Sequence, residues 1–72
     1  MSENELEFAI FCVESIAAFL KKDPRHIYKA LGRDSDILRS YIIPEYGVLH
    51  TQGKEYIVND IREVMDERGV VI

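Results

Sequence analysis

Residues 49–61 read Leu49-His50-Thr51-Gln52-Gly53-Lys54-Glu55-Tyr56-Ile57-Val58-Asn59-Asp60-Ile61, a polar turn that leads directly into an amphipathic helix. At about 100° per residue, one face of a helix from about Gln52 to Arg68 carries Ile57, Ile61, Val64 and Met65. This apolar face predicts a helix packed against a core. Tyr56 lies off the apolar stripe and is expected at its rim.

Both ends of this helix carry recognisable signals. A hydroxyl at Thr51 can accept a backbone N–H that the first helical turn leaves unpaired, so Thr51 or Gln52 is expected to begin the helix. Gly69 has the position of a left-handed residue after the last turn, which predicts a Schellman-type contact between Val70 and Met65.

The His50-Thr51 pair admits two interpretations. A histidine beside a hydroxyl and a helix start can form, with Tyr56, a small anion-binding or acid–base site. It can also be a capping turn that a histidine hydrogen bond holds in place. We favour the capping turn, because no second histidine, reactive cysteine or suitably spaced carboxylate accompanies the pair.

A long first helix is predicted from about Asn4 to Lys22. Its apolar residues recur at helical spacing: Leu6, Ala9, Ile10, Val13, Ile16, Ala17 and Leu20. Phe8, Cys12 and Phe19 widen the apolar arc to roughly 200°, whereas a single core-facing stripe needs only somewhat more than 100°. This excess predicts contact with a second chain, and the alternative is a central helix with neighbours on both sides.

Two shorter helices are expected between the long ones. Asp23 is a suitable N-cap and Pro24 suits the first helical position, so a helix is predicted through Leu31, ending at Gly32. A third helix is predicted from about Ser35 to Ile42.

Pro44 stops that third helix, residues 45–47 are expected to form a turn, and Val48-Leu49 is expected to be an apolar plug. The pattern therefore predicts an all-α fold, with residues 1–72 forming a single helical domain built as a small bundle of three to four helices.

Length and composition narrow the class of protein. A chain of 72 residues buries only about 60% of the surface that its unfolded form exposes, so added stability from association is expected. The single cysteine, Cys12, lies in an apolar run and is interpreted as buried filler rather than as a nucleophile. The acidic N-terminal segment lacks a basic signal-peptide region, and no apolar run is long enough for a membrane span, so a cytoplasmic location is expected.

The formal net charge is −4, but residues 21–33 form a basic segment. Its basic residues are Lys21, Lys22, Arg25, Lys29 and Arg33. Such a segment can bind nucleic acid or an acidic protein surface, or can simply be solvated. The acidic total disfavours nucleic acid, and so does Asp34-Ser35-Asp36, which would place two carboxylates at the start of a recognition helix.

No catalytic or metal-binding constellation is indicated. The paired carboxylates Asp34/Asp36 and Asp66/Glu67 lie at expected helix ends or on exposed faces, where charge usually indicates solvation. His26 stands among basic residues and has no partner ligand. The chain is therefore expected to be non-enzymatic, with no metal and no cofactor.

The run from Tyr46 to Ile61, with the apolar first helix before it, resembles a family of short bacterial proteins known as domain of unknown function 3791. The matching residues are Leu49, His50, Thr51, Gly53, Tyr56, Asp60 and Ile61. The resemblance covers nearly the whole chain. It implies an accessory or antitoxin-like protein whose partner is an ADP-ribosyltransferase-type toxin encoded by a neighbouring gene.

Two functional hypotheses follow. The first is an interaction module that binds itself or a partner protein through Phe8, Phe11 and Phe19, together with the corner of His50, Thr51 and Tyr56. The alternative is a small nucleic-acid-binding transcriptional regulator that uses Lys21, Lys22, Arg25, Lys29 and Arg33.

Overall fold

Six helical segments and no strand are found in this computed structural model, which describes residues 2–72. The segments are α1 (Glu3–Leu20), α2 (Pro24–Tyr28), π1 (Lys29–Arg33), π2 (Leu38–Ile42), α3 (Tyr46–Leu49) and α4 (Lys54–Glu67). The fold is a small all-α bundle, as the sequence predicts.

Helix α1 begins and ends through local hydrogen bonds. Ser2 and Glu5 form a capping box: the Glu5 N–H donates to Ser2 Oγ at 3.2 Å, and the Ser2 N–H donates to Glu5 Oε1 at 2.8 Å. At the other end Lys21 adopts the left-handed conformation with φ 56°, and the Lys22 N–H donates to the Ala17 carbonyl at 2.9 Å. The helix therefore ends at Leu20, slightly earlier than predicted.

The left-handed backbone at Lys21 gives a first testable prediction. Only glycine adopts this conformation without a steric penalty, so Lys21→Gly is expected to raise the free energy of unfolding by about 0.5–1 kcal/mol. Gly69→Ala is the matched control. Gly69 has φ 69°, so an alanine there should lower the free energy of unfolding by about 1 kcal/mol. Urea denaturation of both variants measures the two changes, and a destabilised Lys21→Gly variant would contradict the prediction.

The core is built around α1, which packs against α2 on one side and α4 on another. The side chains with almost no solvent exposure are Cys12, Ile16, Ile27, Leu31, Ile37, Ile42 and Ile61. Leu6 and Ile10 were expected on the core face of α1 but are half exposed. The prediction was wrong there because the packed neighbours lie on the Cys12 side of α1.

The segment after α1 keeps its predicted start but not its predicted end. Asp23 is the N-cap, since its Oδ1 accepts the Arg25 N–H at 2.8 Å. Gly32 does not stop the helix. Instead the helix widens into the π-helical segment π1, and this segment ends at Arg33.

The predicted third helix begins later than Ser35. Asp36 takes a left-handed conformation with φ 60°, which interrupts the helix there. Ser35 Oγ keeps a capping contact, since it accepts the Ile37 N–H at 3.4 Å while it donates to the Ala30 carbonyl at 2.7 Å, but no continuous helix starts at Ser35. Regular structure resumes with π2.

Three expectations about α3 and the start of α4 were wrong. Residues 46–49 form the short helix α3 rather than a turn and a plug, and Val48 is 59% exposed while Leu49 is buried. The N-cap of α4 is Gly53, without a side-chain hydrogen bond. Thr51 caps no part of α4, because its Oγ1 donates to the Val48 carbonyl at 2.7 Å.

The end of α4 is as predicted. The Gly69 N–H donates to the Asp66 carbonyl at 3.1 Å and the Val70 N–H donates to the Met65 carbonyl at 2.8 Å, which together form a Schellman motif. Val70 packs against the core and closes the base of the bundle.

Candidate functional site

An apolar groove with a volume of about 250 Å³ runs along α1, where α2 and π2 approach it. The residues that line it are Leu6, Ala9, Ile10, Val13, Glu14, Pro24, Arg25, Tyr28 and Leu38. Leu6, Ile10 and Tyr28 are 50%, 49% and 54% exposed. Large apolar side chains on several elements thus form one exposed surface, which we call the α1–α2 groove.

The floor of the α1–α2 groove is continuous with the core, since Ala9, Val13 and Leu38 are buried members of it. Such a floor is held in place by packing, so its shape does not depend on an occupant. Leu6 and Ile10 are four residues apart on α1 and therefore project side by side above the floor.

The cation at the edge of this groove is already paired. Arg25 Nη2 lies 2.9 Å from Asp23 Oδ2, and Arg25 Nε also donates to this carboxylate. The hydrogen bonds from Arg25 lower the pKa of Asp23, and the same contact raises the pKa of Arg25. Arg25 therefore contributes little unpaired positive charge to the rim.

The opposite flank of α1 carries Phe11 and Phe19, which are 40% and 55% exposed. A second groove of about 480 Å³ lies beside Phe19 and is lined by Ser15, Ala18, Phe19, Lys54, Glu55 and Val58. The Arg62 guanidinium lies 5.0 Å from the centre of the Phe19 ring, a cation–π contact. Phe19 thus has an intramolecular partner on one face of its ring.

Phe8 does not belong to the exposed flank on which the sequence placed it. Its side chain is only 8% exposed, and the Tyr46 ring meets it edge-on with centroids 5.3 Å apart. Phe11 stacks on its outer side at 6.3 Å. Phe8 is therefore a core residue, and its side chain is not available for the partner contact predicted from the sequence.

The His50 corner has the geometry of a capping turn. The His50 ring stacks on Tyr46 with centroids 4.5 Å apart, and its Nδ1–H donates to the Tyr46 carbonyl at 2.6 Å. The Thr51 hydroxyl donates to the Val48 carbonyl, so two carbonyls of the short helix α3 each accept a side-chain hydrogen bond. Among residues 2–72 no hydrogen bond joins Tyr56 to His50 or Thr51, so a ligand site there gains no support.

A polar contact that sequence reasoning missed joins π2 to α4. The Tyr41 hydroxyl donates to Asp60 Oδ2 at 2.5 Å. This hydrogen bond, with burial and the carboxylate charge adding to it, raises the pKa of Tyr41 above its ordinary value of 10.0. A tyrosine held protonated in this way positions two helices and does not serve as a base at neutral pH.

Removal of this hydroxyl should weaken the bundle in a pH-dependent way. Tyr41→Phe is expected to lower the free energy of unfolding by about 1 kcal/mol near neutral pH, because a hydrogen bond to a partly exposed carboxylate is lost. The raised folded-state pKa means that this stabilisation is complete below pH 10.0 and declines as the pH rises through the folded value.

Urea unfolding at pH 7 and at increasing alkaline pH tests this. The difference between wild type and Tyr41→Phe should shrink above about pH 10. Tyr28→Phe, at an exposed position, should match the wild type at neutral pH within about 0.5 kcal/mol. A constant difference across the whole alkaline range would contradict the role assigned to Tyr41.

Residues 7–68 match the model of a family described as protein of unknown function, DUF3791. The chain belongs to the DUF3791 family. No curated protein and no solved structure matches the chain. The match to DUF3791 begins within α1 at residue 7 and continues past the end of α4, so it includes the His50 corner and every lining residue of the α1–α2 groove except Leu6.

Most of the residues that carried the resemblance to DUF3791 have structural roles. Leu49 and Ile61 lie in the core. Asp60 accepts the hydrogen bond from Tyr41. Tyr56 is the exception, since it is 54% exposed and has the rim position predicted for it. The residues from Leu49 to Ile61 therefore account mainly for the fold of this DUF3791 chain and do not identify what it binds.

Two of the five cations in the basic segment are paired with carboxylates. Lys21, Lys22 and Arg33 are exposed. Arg25 is bonded to Asp23 at 2.9 Å, and Lys29 lies 4.0 Å from Asp34. Pairing with carboxylates reduces the charge available to phosphates, so the DUF3791 fold does not strengthen the alternative hypothesis.

Cys12 is the one cysteine in the sequence. Cys12 is fully buried, and desolvation raises the pKa of its thiol to about 12, which makes it unreactive at neutral pH. Within the described chain, no three His, Cys, Asp or Glu side chains come together as a metal site. None of its helices has the length and apolar character needed to cross a membrane.

Proposed function

We propose that this DUF3791 protein is a non-enzymatic interaction module that binds a partner protein in the α1–α2 groove. The supporting observation is the cluster of Leu6, Ile10 and Tyr28, each about half exposed, above a floor of core residues. A contiguous exposed apolar surface of this kind is typical of docking sites in small soluble domains.

The energetics suit a groove anchored by a few side chains. Complete burial of a leucine or isoleucine is worth about 1.5–3 kcal/mol, so covering the exposed halves of Leu6 and Ile10 gives about 1 kcal/mol each. Tyr28 adds a large ring with a polar hydroxyl, which is a common composition for an interface anchor. The paired Arg25 at the rim would contribute orientation more than affinity.

The resemblance stated from the sequence suggests a class of partner. On this proposal the protein is an accessory or antitoxin-like partner of an ADP-ribosyltransferase-type toxin, in the cytoplasm of a bacterium. The groove supports docking of a protein in general, and the identity of the toxin class rests on the resemblance alone. Self-association through the same groove is the competing form of the proposal.

Affinity purification of the tagged chain from its native cell, followed by the mass of the recovered complex, tests the proposal. The double variant Leu6→Ser/Ile10→Ser should lose the partner but stay folded, with a free energy of unfolding about 2 kcal/mol lower, because about half of each side chain is already buried. Phe11→Ser/Phe19→Ser is the matched control on the opposite flank and should retain the partner. Loss of the partner in the control alone would move the docking surface to the second groove.

A further inference from the structure

The exposed apolar row of α1 is accompanied by a row of carboxylates. Glu3 precedes Leu6 by three residues, Glu7 precedes Ile10 by three residues, and Glu14 follows Ile10 by four. Residues three or four apart on a helix are surface neighbours, so each carboxylate lies one turn from an exposed apolar side chain. Glu14 itself lines the α1–α2 groove.

The carboxylates of this acidic row form no ion pair with cations of residues 2–72. All three carboxylates are exposed, and among residues 2–72 neither of the ion pairs includes Glu3, Glu7 or Glu14. The cation that lines the groove, Arg25, is bonded to Asp23 at 2.9 Å. The docking surface is therefore apolar in the middle and negative along its α1 edge.

We infer that the occupant of the α1–α2 groove is an amphipathic helix that carries lysine or arginine beside its apolar stripe. This inference rests on the proposed function and adds the chemistry of the partner. A groove between helices, with anchors spaced four residues apart, suits a helix laid along it. Basic residues on one edge of that helix would meet the carboxylates of α1.

The same charges disfavour a second copy as the occupant. A copy that docked through the same face would bring its own Glu3, Glu7 and Glu14 to the interface. Arg25, which is bonded to Asp23, is the cation that it would add from the groove lining, because the other basic residues of segment 21–33 lie outside that lining. Like charges across an interface are repulsive, so this face selects a basic partner over itself.

Designed peptides test the inference without knowledge of the natural partner. Three labelled peptides of about 15 residues are used, a length at which a helix can form on binding. The first has leucines at helical spacing with lysines beside the stripe, and the second has the same leucines with glutamates in place of lysines. The third has the composition of the first in shuffled order, which removes the stripe. Fluorescence anisotropy measures the binding of each peptide to the full chain.

We expect the lysine-flanked peptide to bind and the other two to fail. Glu7→Gln/Glu14→Gln should weaken its binding about twofold to thirtyfold, since two exposed charge pairs are lost. Glu63→Gln/Glu67→Gln on α4 removes the same net charge from exposed positions elsewhere and should leave binding unchanged. Binding should also weaken as salt screens the exposed charges.

Three results would overturn the inference. Equal binding of both stripe peptides, abolished by Ile10→Ser, would overturn the charge selectivity while the proposed docking function stood. Self-association that Ile10→Ser abolishes, with no peptide binding, would make a second copy the occupant. Absence of both peptide binding and self-association would count against the inference and the docking function together.

Discussion

Phe8→Ala is expected to lower the free energy of unfolding by about 3–4 kcal/mol, the range found when a buried aromatic ring is removed. Phe8 is 8% exposed and lies between the Tyr46 ring on one side and the Phe11 ring on the other. Its removal would leave a cavity between α1 and α3 that the short α3 cannot easily close. The total free energy of unfolding of a domain of this size is only about 4–11 kcal/mol, so Phe8→Ala would remove much of its stability.

Urea denaturation monitored by far-ultraviolet circular dichroism measures this change. Phe11→Ala is the control at a residue that is 40% exposed, and it should lose less than about 1.5 kcal/mol. If Phe8→Ala and Phe11→Ala had equal, small effects, Phe8 would belong to the exposed flank on which the sequence placed it. The assignment of the core face of α1 would then be wrong.

Ile61→Ala is expected to produce the second large loss, about 2–4 kcal/mol. Ile61 has no solvent exposure and lies on the face of α4 that packs into the core around α1. Since about 1 kcal/mol corresponds to 4–8 °C in a domain of this size, the melting temperature should fall by roughly 8–30 °C.

Tyr56→Ala on the same helix is the comparison for Ile61→Ala. Tyr56 is exposed and its ring has no partner in the core, so its removal should change the melting temperature by only a few degrees, or about 0.5 kcal/mol. Comparable losses at both positions would show that the stretch from Leu49 to Ile61 does not divide into core and surface as described. Differential scanning calorimetry of the two variants gives the comparison directly.

The parts of the fold that the sequence predicted are those that local chemistry decides. Gly69 must adopt a left-handed conformation to end α4, and Val70 then returns to the helix. Asp23 caps α2 because a short carboxylate before a proline satisfies the first free N–H group. Each of these features depends on a few neighbouring residues, so a single sequence is enough to predict it.

The middle of the chain was harder because tertiary packing overrides local signals there. Gly32 is a common helix terminator, yet the chain passes it in the π-helical segment π1. Serine is a common N-cap, and Ser35 does accept the Ile37 N–H, yet its hydroxyl also donates back to Ala30 and the next helical segment begins only at Leu38. The apolar spacing of these segments suits an α-helix and a π-helix almost equally over five residues, so the widened turns leave no clear sequence signal.

The sequence predicted that α1 has a surplus of apolar residues, but it did not predict which of them are exposed. An apolar arc of roughly 200° on α1 indicates that some edge stays uncovered, but it does not indicate which edge. Packing buries Phe8 and leaves Leu6 and Ile10 exposed, because α3 covers one side of α1 through Tyr46. The groove also needs Tyr28 from α2, and only the folded chain brings that residue to α1.

Amide chemical shifts of the isotope-labelled chain show directly whether a partner docks in the α1–α2 groove. Spectra are compared before and after addition of the protein recovered by affinity purification. We expect the largest shifts in residues 6–14 and 25–28, which contribute Leu6, Ile10 and Tyr28 to the groove. Shifts concentrated at Phe19, Lys54 and Val58, with the α1–α2 groove unchanged, would contradict this expectation.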